Sequence, residues 1–77
     1  PWPDLRTPEA DQFVLAERAR ALTILIFANP DAAATAYRAM PDRAIQERVS
    51  KRAVHLLVLN GMGKEDAEAR ISKLTAH

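Results

Sequence analysis

Residues 29–63 read NPDAAATAYRAMPDRAIQERVSKRAVHLLVLNGMG, and the helix breakers in this stretch decide the fold. The residue before a proline is pushed away from α geometry, so we expect helices to end just ahead of Pro30 and Pro41. Gly61 supplies a left-handed residue of the kind that commonly ends helices. A proline is tolerated in the first turn of a helix, so a new helix can begin directly after such a stop. The stretch therefore predicts two helices, with a further helix on either side.

Capping residues place the helix starts and predict an all-α, four-helix domain. Thr7 precedes Pro8, and its side chain can accept hydrogen bonds from the first N–H groups of a helix. Asn29 and Asp42 can cap the second and third helices in the same way. We predict helices at about residues 8–28, 30–40, 42–60 and 64–75, after an extended N-terminal lead at residues 1–7.

One segment of the first helix has two interpretations. Residues 21–29 include Thr23, Ile24 and Phe27, which are good strand formers, so a buried strand is the alternative. We favour a helix, because residues 9–20 lead into the segment without a breaker.

The size and composition of the chain indicate one small domain at residues 1–77, with a net charge of +1 and no Cys. Disulfides are therefore excluded, and His55 and His77 alone cannot build a structural zinc site. We expect no metal and no cofactor, so stability comes from helix packing or from a partner. Because the sequence begins with Pro1 rather than Met, we expect it either to begin inside a longer gene product or to have been processed.

The sequence also predicts a soluble, cytoplasmic protein with no membrane association. No apolar run approaches the roughly 18–20 residues that a membrane span needs. The N-terminus does not have the pattern of a signal peptide, and the absence of Cys fits a reducing compartment. Ala is frequent and Arg outnumbers Lys by 8 to 3, which is typical of a high-GC bacterial source.

The predicted first helix is apolar on two adjoining faces, and residues 22–27 are apolar nearly all round. A helix that is apolar on every side is usually buried on every side. We therefore expect Ile24 to be buried. One face carries Phe13, Ala16, Ile24 and Phe27, and the adjoining face carries Leu15, Leu22 and Ile26.

The predicted third helix also carries more apolar residues than one core face needs. We expect Leu56 to be buried, because it lies on an inner face that follows helical spacing through Ile45, Val49, Ala53, Leu56 and Asn60. Val54 and Val58 point to the opposite side, with Leu57 between. Either the first and third helices form a central pair whose remaining faces the second and fourth helices cover, or one face stays open for a second copy or another protein. The candidate partner-binding residues are Val54, Leu57, Val58 and Trp2.

Trp2 belongs to this set because it is the only Trp in the chain and lies between Pro1 and Pro3. Trp is a favoured anchor residue at protein interfaces. The alternative is that its ring packs on the helices and holds the N-terminus in place.

A basic stripe on the third helix offers a second candidate site. Arg48, Lys51, Arg52 and His55 fall within an arc of roughly 100°. Such a stripe could bind phosphates or an acidic partner. Glu47 precedes Lys51 by one helical turn and would partly neutralise it, so a solvated helix face is the alternative.

We predict no catalytic site and no small-molecule substrate. Ser50 and Ser72 are the only serines, and Ser50 diverges from His55 on the helix, so no nucleophile has a base within reach. The sequence therefore favours a small protein–protein interaction or assembly module that self-associates and acts as an adaptor, regulator or inhibitor. The alternative function is a small nucleic-acid-binding regulatory domain.

Overall fold

The structure, a computed structural model, describes residues 7–75 and confirms the predicted all-α, four-helix fold. No strand occurs in that range. Of the predicted extended lead, only Thr7 is described, and its backbone is extended. The helices are α1 (Pro8–Ala28), α2 (Pro30–Arg38), α3 (Arg43–Leu59) and α4 (Lys64–Thr75). Residues 21–28 are thus helical, which decides between the two interpretations of that segment.

The predicted caps stand at the first three helix starts. Each capping side chain accepts a hydrogen bond from the backbone N–H three residues later, which satisfies one of the donors that a helix start leaves without a partner. Asp42 and Asn60 flank α3 as its caps, so this helix is one residue shorter at each end than predicted. The N···O distances are 3.1 Å for Thr7 with Ala10, 3.2 Å for Asn29 with Ala32 and 2.8 Å for Asp42 with Ile45.

Gly61 ends α3 as predicted, with a left-handed φ of 98°. The Met62 N–H donates to the Leu57 carbonyl oxygen at 3.1 Å, and the Gly61 N–H donates to the Val58 carbonyl oxygen at 3.0 Å. This pair of bonds is a Schellman motif, which satisfies the last carbonyl groups of the helix. The reversal brings α4 back against α3.

The two long helices form the centre of the fold. α1 packs against α3 and α2, while α4 packs against α3 and α2. Gln12 lines a surface groove with His55, and Arg18 lines another with Ile45, so the N-terminal half of α1 lies beside α3. α2 and α4 cover only part of the remaining surface of this central pair, because Ile24 and Phe27 of α1 stay exposed.

The core face of α3 is rotated from the predicted one. Leu57 has no exposed surface and lies at the centre of the core with Val49 and Ala53, whereas Leu56 is only half-buried. The rotation is about 40° at 100° per residue, from a predicted face centred on Val49 to a buried face centred on Ala53. Its cause is that α3 packs against both α1 and α4, so its buried arc lies between the two neighbours.

The prediction that Ile24 is buried is wrong, because 56% of this residue is exposed. α1 instead buries the adjoining face, with Leu22 and Ile26 in the core. α2 and α3 cover α1 from one side only, and no other described helix packs extensively against it. The opposite side of α1 therefore remains on the surface.

Candidate functional site

The candidate site is a stripe on the outside of α1, called here the α1 outer face. It consists of Phe13, Glu17, Arg20, Ile24 and Phe27, all of them exposed. Their spacings of 4, 3, 4 and 3 residues align them along one side of an α-helix, as in the contact stripe of a coiled coil. The stripe extends along most of α1.

Three large apolar side chains dominate this face. Phe13 is 58% exposed, Ile24 56% and Phe27 60%. A single exposed apolar residue on a protein surface is ordinary, whereas three aligned on one helix face form a candidate contact surface. The exposed Ala21 and Ala28 flank the stripe and add little bulk beside it. The face can therefore meet a second helix at close range.

Two charged residues lie in the middle of the face. Glu17 and Arg20 are three residues apart, so they are neighbours on the helix surface. Both are exposed, and both separate Phe13 from Ile24. The face thus has an apolar region at each end and one acidic and one basic side chain between them. A partner that covers the face must supply groups of opposite charge at this point.

The C-terminal end of the face borders α4. The guanidinium carbon of Arg70 lies 5.8 Å from the centroid of the Phe27 ring. Contact of this kind between a cation and an aromatic ring contributes about 0.5–1 kcal/mol at an exposed site. Arg70 therefore orients the Phe27 ring but leaves more than half of the residue exposed.

The residues predicted from the sequence to bind a partner do not form one surface. Leu57 is in the core and offers no surface to another chain, while Val58 is 39% exposed. Val54 is half-buried and lines a groove with Ile71, so α4 covers part of it. Trp2 lies outside the described residues.

The predicted basic stripe does come together on the surface. Arg48, Lys51, Arg52 and His55 are all exposed and line one shallow groove of about 370 Å³. Gln12 and Leu15 of α1 form the other side of this groove. No carboxylate of the described chain lines it.

The hydroxyl group of Ser50 serves the packing of α3 against α2. It donates to the Gln46 carbonyl oxygen at 2.7 Å and lies 3.2 Å from the Tyr37 hydroxyl. In the range 7–75, no group of three or more His, Asp and Glu side chains could hold a metal ion. Among the same residues, no helix is both long enough and apolar enough to cross a membrane.

The prediction that Ile24 is buried, on one face with Phe13 and Phe27, is wrong, and the sequence itself contains the contrary signal. Glu17 and Arg20 interrupt that face, and a charged residue is almost never fully buried without a partner. The true core face of α1, through Ala19, Leu22 and Ile26, contains no charged residue.

No protein family matches this chain, and no curated protein or solved structure is significantly similar to it. A proposal for its function therefore depends on the surface of the fold itself.

Proposed function

We propose that this chain is a small helical protein–protein interaction or assembly module that self-associates through the α1 outer face. In a larger protein, such a module would act as an adaptor, regulator or inhibitor. The observation that supports the proposal is the alignment of Phe13, Ile24 and Phe27, each more than half exposed, along one helix.

The physical reason is the cost of leaving these side chains in water. Burial of apolar surface stabilises an association by about 25 cal/mol for each Å² removed from water. A face that runs the length of one helix suits a second helix, which can lie along it and cover all three side chains together. A small domain of this size gains relatively little stability from its own core, so association would also stabilise the fold.

Sedimentation equilibrium over a range of protein concentrations tests the proposal. We expect the native chain to exceed its monomer mass of 8.5 kDa as concentration rises. Ile24→Ser should shift the distribution toward monomer, because it removes apolar surface from the C-terminal apolar region of the face. The matched control is Leu59→Ser, which changes a 67% exposed side chain at the end of α3.

A native chain that stays monomeric at every concentration would contradict the proposal. The same conclusion would follow if Leu59→Ser weakened association as much as Ile24→Ser, since the α1 outer face would then have no special role.

We propose nucleic-acid binding as the second candidate function, because one groove collects Arg48, Lys51, Arg52 and His55. Binding to phosphates releases counterions, so affinity for duplex DNA or RNA should fall steeply as salt is raised. The variant Arg48→Ala should reduce the slope of log affinity against log salt by about 1. Arg38→Ala, which removes the same charge from α2, is the control. Equal slopes for the two variants, or no binding at low salt, would exclude this groove as a nucleic-acid site.

A further inference from the structure

We infer that two copies of the chain pair through their α1 outer faces in an antiparallel, two-fold arrangement, with Glu17 of each copy opposite Arg20 of the other. The inference rests on the self-association proposed above and specifies its geometry. In this register, a residue i of one copy faces residue 37−i of the other, so Phe13 also lies opposite Ile24.

The spacing of the face is the first argument. Steps of 4, 3, 4 and 3 residues are the spacing at which two helices interdigitate side chains along a shared seam. Phe13, Glu17, Arg20 and Ile24 occupy successive positions of that seam. The seam alternates between two kinds of position, one occupied by Phe13 and Arg20 and the other by Glu17 and Ile24. In an antiparallel pair, each layer combines a residue of the first kind from one helix with a residue of the second kind from its partner. Every layer formed by these four residues then contains either an apolar pair or an acid–base pair.

Charge is the second argument, and it selects the orientation. In a parallel pair in register, Glu17 would meet its own copy and Arg20 would meet its own copy. Such like-charge contacts across an interface disfavour the complex strongly. The antiparallel pair instead forms two identical contacts between Glu17 and Arg20, one on each side of the two-fold axis.

Helix overlap and desolvation are the third argument, and they select the register. α1 spans residues 8–28, so its midpoint is residue 18, and the proposed register centres the pair within one residue of it. A shift of seven residues in one direction would place Arg20 opposite Ile24 and Glu17 opposite Phe27. Each charge would then be buried against an apolar side chain without a partner, which is unfavourable.

A charge-exchange series tests the contact between Glu17 and Arg20. Glu17→Arg and Arg20→Glu should each raise the dissociation constant of the pair by about tenfold or more, because each creates like-charge contacts. The double variant, with both changes in the same chain, should recover most of the lost affinity. Arg18→Glu is the matched control, since Arg18 is exposed on α1 but lies away from the outer face. Circular dichroism of each variant verifies that helicity is retained.

Spin-label distances test the orientation independently. The chain has no Cys, so Ala28→Cys and Ala21→Cys each provide one labelling site per copy. With a rise of 1.5 Å per residue and helix axes about 10 Å apart, the antiparallel register predicts separations of about 30 Å at residue 28 and about 12 Å at residue 21. A parallel pair predicts nearly equal, short separations at both sites.

The outcomes separate this inference from the proposed function. If the chain associates but the label separations at residues 21 and 28 are equal, the antiparallel register is wrong while self-association stands. The same holds if Glu17→Arg and Arg20→Glu each associate as tightly as the native chain. A native chain that never associates would remove both.

Discussion

The contribution of Phe13 to the free energy of the proposed association can be calculated from its exposed area, and it predicts the effect of Phe13→Ala. A phenylalanine side chain presents about 200 Å², so 58% exposure leaves roughly 115 Å² of Phe13 open in each copy. If pairing covers half of that area, about 115 Å² is buried for the two copies together. At about 25 cal/mol for each Å², the ring contributes about 3 kcal/mol to association. Its removal should therefore raise the dissociation constant by roughly a hundredfold.

Dilution calorimetry measures this constant directly, and thermal melting of dilute samples measures the stability of the monomer. We expect Phe13→Ala to weaken association while the monomer melts as before, because Phe13 lies outside the core. Leu59→Ala is the control, since Leu59 is 67% exposed but lies on α3. The reasoning is refuted if Phe13→Ala leaves the dissociation constant unchanged or if Leu59→Ala raises it equally.

Three further substitutions test the fold. Leu57→Ala should destabilise the domain by about 2–5 kcal/mol, and Leu56→Ala by less, because Leu57 is fully buried and Leu56 is not. Equal losses of stability in urea denaturation would show that the core face of α3 is misplaced. Gly61→Ala should lower the stability of the domain by about 1–2 kcal/mol, because alanine is strained in the left-handed backbone conformation even though its Cβ would have open space. An unchanged melting temperature would contradict that conformation. Asp42→Ala should cost about 1 kcal/mol by removing the cap of α3, whereas Asp42→Asn should retain most of the stability.

The helix boundaries could be predicted from the sequence because they depend on local signals. A cap such as Asn29 acts on a backbone group three residues away, and a proline restricts only its nearest neighbours. Gly61 likewise ends α3 through its own backbone conformation. Such signals operate within one or two turns of chain, so they can be recognised without knowing what the helix packs against.

Which face of each helix is buried could be predicted less accurately than the helix boundaries, because it depends on the positions of the other helices. Ile24 and Leu22 both lie on apolar faces of α1, and only the placement of α2 and α3 on one side decides which face is buried. For α3, the contact with α4 moves the centre of the buried arc to Leu57. The candidate interface consequently lies on α1 and not on α3 as predicted, whereas the basic groove lies on the face of α3 that the helical spacing predicts.

The proposed pairing of two copies through the α1 outer face can be tested by methyl NMR spectra of Ile, Leu and Val recorded over a dilution series. Pairing through the α1 outer face predicts that the Ile24 methyl signals shift with concentration, because the partner's Phe13 ring lies against them. The signals of Leu59 should remain constant. Concentration-dependent shifts at Val54 and Val58 with none at Ile24, or no shifts at any methyl group, would contradict the assignment of the interface to α1.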